Sequence, residues 1–198
     1  MSVNSLVSPF FSRKPHRKSM VILAAAGLAV AGAIAAVSHA RAASKEVEGQ
    51  LGRIDKEFLL DAAQAGTTEI LASKTASGKN ASQPVKTFAA AMVLDHTKVA
   101  DELKQLASSK GVSVPDEPGM KQQALMAKLN VLNGPQFDQL YADEVGVAAH
   151  KEAVALFRKA SISGKDADVK AFAQKHLPAL EHHLQMAQNL KTAVDKQQ

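Results

Sequence analysis

The chain has 198 residues, 46% of them hydrophobic and 4% aromatic, no cysteine and a formal charge of +5. The length suits one domain with appendages, and the missing cysteine excludes disulfides, thiol chemistry and a lipid-modified cysteine anchor. The charge does not point to nucleic acid. Arg13, Lys14, Arg17, Lys18 and Arg41 precede position 43 with no acidic residue among them, which leaves 19 basic and 19 acidic residues beyond it. With no basic block there and few aromatic rings to stack on bases, nucleic-acid binding is excluded.

The N-terminus has the order of a secretory signal peptide: basic residues, an apolar run over Val21–Val37 and small residues at Ala40 and Ala42. We expect a leader over residues 1–42, a polar linker over 43–52 and export to the periplasm or cell envelope. The apolar run has 17 residues, at the lower edge of what spans a bilayer. An uncleaved leader is therefore the alternative, and the only expected contact with a membrane. Twin arginines are absent, which favours the general export route.

Beyond the linker the chain is rich in Ala, Leu, Lys and Gln, good helix formers, and apolar residues recur at spacings of three and four. A first helix is expected over 53–76, with Phe58, Ala62, Ala65, Glu69 and Ala72 on one stripe. Ser82 can cap a second, whose first turn tolerates Pro84. It runs to about Lys110 on Val85, Phe88, Met92, His96, Val99 and Leu103, and Gly111 stands at a C-cap position. A short amphipathic helix follows over 120–132. Pro135 opens a long helix to about Ala160 on Leu140, Val147, His150, Val154 and Phe157. The last helix, 166–194, carries Val169, Phe172, His176, Leu180, His183 and Ala187, with a kink expected at Pro178.

Short loops make the first two and the last two long helices antiparallel pairs. The long connection between the pairs can cross the length of the molecule. The expected architecture is all-α: a ferritin-like four-helix bundle over 53–194 with a long crossover carrying a short extra helix. An up-down bundle with the short helix on its rim is the alternative.

The runs DKEFLLDAAQAGTTEILAS, VKTFAAAMVLDHTKVADELKQLASSKGVSVP and LPALEHHLQMAQNL resemble a widespread bacterial domain of unknown function, over roughly residues 55–190. The resemblance rests on Asp95 and His96, on His150, and on Leu177, Pro178, His183 and Leu184; His176 and His182 lie outside that pattern. It implies a ferritin-like fold and export, and no activity.

No G-x-S-x-G, H-E-x-x-H, phosphate-binding loop or dinucleotide-binding fingerprint is present. The Glu-x-x-His spacing of ferritin-like di-metal sites is also missing. The residues three before His96, His150, His176, His182 and His183 are Val93, Val147, Ala173, Ala179 and Leu180. Adjacency on a helix turns His182 about 100° away from His183, so His182 should face solvent.

Levelling residues by their distance from each hairpin loop places His150 near His176 and His183 near Glu144. It separates Glu69 from His96 by about five residues of rise, roughly 7–8 Å. Scattered buried pairs are therefore expected rather than one convergent cage. The leading reading is a non-enzymatic binding or structural module of the cell envelope with no cofactor, acting with a protein partner or as a homo-oligomer. The alternative is a metal site made of His96, His150 and His183 with Glu69 or Glu144, holding Fe, Mn, Zn or Cu.

Overall fold

A computed structural model describes residues 51–197. The expected leader and residues 43–50 of the expected linker lie outside the described residues. In chain order the helices are α1 (Arg53–Gly78), α2 (Gln83–Ser109), α3 (Met120–Val131), α4 (Gly134–Leu140), a π-helical segment (Tyr141–Ala148), α5 (Ala149–Ser163) and α6 (Ala167–Asp195). Regular structure among the described residues is all helical, as the spacing of apolar residues predicts. No described helix is long and apolar enough to cross a membrane.

α1 packs along α2 and α5 along α6, while α6 also meets α2 and the π segment and α1 meets α5. The short α3 rests on α1. The stretch that reads as one helix, 135–160, forms a continuous rod of α4, π segment and α5. Its middle is wound wider, with i→i+5 hydrogen bonds in place of i→i+4.

A local signal explains the end of α2. Gly111 has φ +67°, its N–H donates to the Ser108 carbonyl at 3.0 Å, and Val112 N–H donates to the Ala107 carbonyl at 2.9 Å. Those two bonds are a Schellman stop, and buried Val112 seals it. Ser82 does occupy the cap position of α2, but its side chain caps nothing. Its N–H instead donates to the Asp138 carboxylate at 2.9 Å. Pro178 sits inside an unbroken α6, on its exposed face.

One tie was not anticipated. The buried Asp55 carboxylate accepts from Lys165 N–H at 3.1 Å and from Asp166 N–H at 3.0 Å, clamping the start of α1 to the turn before α6. Gly164 stands in that turn because a Cβ there would lie 2.6 Å from the Ala160 carbonyl oxygen and 3.2 Å from Asp55 Oδ1. We expect Gly164→Ala to destabilise the protein by about 1–3 kcal/mol, as overpacking does, with a lower urea midpoint and an unchanged slope. A wild-type midpoint would remove the steric role assigned to this glycine.

Apolar burial is divided. One cluster gathers Phe58, Leu59, Leu103, Phe157, Phe172 and Leu180. The other gathers Ala72, Val85, Phe88, Tyr141, Val145 and Leu190. Between the two clusters lies a level of buried ionisable residues: Glu69 on α1, with buried Thr68 beside it, His96 on α2, His150 on α5 where it continues the π segment, and His183 on α6. Four helices thus place one polar layer between two apolar ones.

Candidate metal centre

All four residues of that layer are buried, Glu69 to 2%, His96 to 3%, His150 to 0% and His183 to 4% exposure. One ring nitrogen from each of the three histidines lies within 4.8 Å of those of the other two. The ring centroids are 5.3–5.7 Å apart.

Each imidazole is anchored through one nitrogen. His96 Nδ1 lies 2.8 Å from Glu69 Oε2. His150 Nδ1 lies 2.8 Å from the Gly146 carbonyl oxygen and 3.2 Å from that of Val145. His183 Nε2 lies 3.2 Å from Asp95 Oδ2. Carbonyl and carboxylate oxygens only accept, so these nitrogens donate. The opposite nitrogens, His96 Nε2, His150 Nε2 and His183 Nδ1, are buried without a hydrogen bond, and so is Glu69 Oε1, which lies 3.7 Å from His150 Nδ1. Buried polar atoms are rarely left so. A histidine that donates one N–H to a carboxylate or carbonyl and turns its other nitrogen inward has the arrangement of a metal ligand held by its second shell.

The charges are coupled. Burial alone would push the Glu69 carboxyl up, but His96, His150 and the hydrogen bond from His96 hold it below its ordinary value. Burial alone would lower His96, and Glu69 outweighs it and raises it. Burial together with the neighbouring His96 and His150 pushes His183 down to about 4, against the pull of Asp95.

For the protein without metal the signs give a peaked stability profile. Between about 4 and the ordinary 6.5, the unfolded chain protonates His183 and the folded one does not, so stability rises with pH. Above 6.5 the folded state keeps a His96 proton that the unfolded chain has lost, so stability falls as pH climbs through the raised His96 value. Glu69 contributes above 4.5, and its contribution is lost as pH falls through its lowered value. Urea unfolding in chelator across pH 4–9 should show a maximum near about 6.5, and Glu69→Gln should flatten the alkaline side. A monotonic wild-type profile would contradict this assignment.

The expected scatter is thus replaced by convergence, and the direction of the side chains accounts for it. On a helix side chains lean toward the N-terminus. In an antiparallel hairpin Glu69, nearer the loop, leans away from it, and His96, deeper, leans back toward it. The two tips close the separation of about five residues that Cα levels imply. His150 and His183 meet by the same rule.

Two other expectations are corrected. His183 does not meet Glu144, which is exposed on the π segment; its partner is Asp95. His176, levelled with His150, is held by another helix instead: its Nε2 lies 2.8 Å from Glu102 Oε2, which also binds Lys175. His182 is exposed, as expected.

Sequence reasoning missed the acceptor role of Asp95, which does turn away from His96 but toward α6. It also missed the carbonyls of Val145 and Gly146. The one signal for the latter was an isolated glycine inside a helical run. A Cβ on Gly146 would come within 3.4 Å of Ala187 Cβ, so the π segment and α6 approach closely there.

Among solved structures the chain resembles a conserved hypothetical protein from Mycobacterium tuberculosis. The two share 18% identity with a TM-score of 0.56, over 72% of this chain and 93% of that one. At that identity the likeness concerns the fold alone. No curated protein matches the sequence. The match to the family described as a domain of unknown function (DUF4142) runs over residues 39–190 and takes in every residue of the polar layer. On that match, the protein belongs to the DUF4142 family.

Proposed function

We propose that the protein is an exported metal-binding module of the cell envelope. In this reading it is a ferritin-like four-helix bundle whose crossover, residues 110–133, carries α3, and it holds one transition-metal ion between His96, His150, His183 and Glu69. The observation that carries the reading is the set of three buried imidazoles, each anchored through one nitrogen and each with the other nitrogen unpartnered. Export is supported by the leader signature over residues 1–42, and the bundle by the two antiparallel helix pairs.

Three imidazole nitrogens and one carboxylate oxygen favour Zn or Cu, with Fe next, over the oxygen-seeking Mn. At metal–nitrogen distances of about 2.0–2.1 Å, tetrahedral ligand nitrogens stand about 3.4 Å apart. The histidines would therefore draw inward around an ion. His96 Nε2 must be unprotonated to ligate, so binding releases a proton below the raised His96 value.

Elemental analysis of the purified protein, followed by melting with added Zn or Cu and with chelator, tests the reading. About one ion per chain and a rise in melting temperature that chelator reverses are expected. Absence of stoichiometric metal, together with unchanged melting on adding it, would retire the proposal.

A further inference from the structure

The polar layer is sealed from solvent on all four helices, so an ion needs a way in. A cleft of about 550 Å³ opens between α1, α3, the π segment and α5. Two residues belong both to it and to the layer. Glu69 lines the cleft while its Oε2 holds His96. Val145 lines it while its carbonyl oxygen faces His150.

The rest of the wall has a definite character. Ala65, Leu125, Ala149 and Leu156 make it apolar, and Asp61, Glu69, Glu144 and Glu152 set four carboxylates against Lys121 and Lys128. Lys121 is tied to Glu152 at 3.2 Å. Asp61 and Glu144 make no ion pair among the described residues, and Glu69 Oε1 is buried at the inner end with no hydrogen bond, 3.7 Å from His150 Nδ1.

We propose that this cleft is the entry route of the metal ion and that Glu69 is its gate; the proposal rests on reading the histidines as a metal centre. Apolar walls with an excess of negative charge focus the field and gather cations. Glu69 Oε2 is engaged by His96, while Oε1 makes no hydrogen bond and lies 3.7 Å from His150 Nδ1. Rotation of this one carboxylate carries a cation from the cleft side to the side where His96, His150 and His183 present their nitrogens. Glu144, expected from sequence to be a ligand, acts here as a steering charge at the mouth, and α3 forms one wall of the path. The competing way in is past Asp95, whose side chain is 44% exposed beside His183.

The test is stopped-flow uptake of Co(II) by the metal-free purified protein, followed by its visible spectrum, with equilibrium affinity measured in parallel. Ala149→Phe plugs the cleft, Asp61→Asn with Glu144→Gln neutralises its mouth, and Asp95→Asn alters the opposite face. The plugged variant is expected to take up the ion at least about tenfold more slowly at near wild-type affinity. The neutralised one should slow by about tenfold at low salt and lose the salt dependence of the rate.

Wild-type rates in both cleft variants, or slowing by Asp95→Asn alone, would overturn the route while leaving the metal centre standing. A wild-type protein that never takes up Co(II) would overturn both. Because the neutralising pair is on the surface, it decides the matter even if Ala149→Phe fails to fold.

Discussion

Replacing His183 with alanine is expected to strip the metal from the protein, while replacing His182, one residue earlier on the same helix, leaves binding intact. His183 is buried between His96 and His150 with Nδ1 unpartnered; His182 is exposed. Removing even a second-shell partner of a ligating histidine costs about 10–100-fold in affinity. Asp95→Asn should fall in that range and His183→Ala beyond it. Ion at a hundredfold over its dissociation constant adds about 2.7 kcal/mol of stability. For a domain of this size that is about 5–10 °C in melting temperature. Wild type, His182→Ala and His176→Gln should all show that increment, and His183→Ala should show none. Titration calorimetry gives the affinities directly. Equal affinities for the His182 and His183 variants would mean that the ion, if bound, sits elsewhere.

The pattern of success in reading the sequence has a physical basis. Helical periodicity put Glu69, His96, His150 and His183 on the buried stripes, because burial follows from the 3.6-residue repeat and nothing else. Gly111 announced its own helix end. What periodicity does not contain is depth along the axis at the level of side-chain tips. Levelling Cα positions across each hairpin ignores the lean of side chains toward the N-terminus. It therefore separated Glu69 from His96 and His150 from His183, where the structure joins them.

Adjacency on α2 turns Asp95 about 100° away from His96, yet a residue turned off one stripe can still face a third helix, as Asp95 faces His183. The π segment was invisible for a different reason. Tyr141–Ala148 has the composition of an ordinary helix, and its one glycine, Gly146, stands where the segment comes close to Ala187. That winding matters to the site. A helix binds its carbonyls to its own N–H groups, whereas here the Gly146 and Val145 carbonyls also face His150 Nδ1 and fix which nitrogen carries the proton. Local distortions of this kind are frequent where a helix serves a site.

Asp55→Ala is expected to lower stability by about 2–4 kcal/mol, the cost of leaving the Lys165 and Asp166 N–H groups without their acceptor, and to leave metal affinity unchanged. The carboxylate makes two kinds of contribution at once. It accepts from both N–H groups of the turn, and its charge lies at the N-terminal end of α6, where the helix dipole favours an anion. Asp166 already caps α6 by accepting from Asp168 and Val169 N–H, so removing Asp55 unties the turn from α1 without unwinding α6 itself. Asp55→Asn should recover part of the loss through its amide oxygen, and little of the electrostatic share. Asp55 lies 14 residues before Glu69 on α1, about 20 Å at 1.5 Å per residue. Effects at sites so far apart add. The melting-temperature increment on adding metal should therefore be the same in Asp55→Ala as in wild type, on a lower baseline. A variant that lost the increment as well would show that the end of the molecule and its polar layer are one cooperative unit, and the separation of the apolar core into two clusters would not then mark a thermodynamic division.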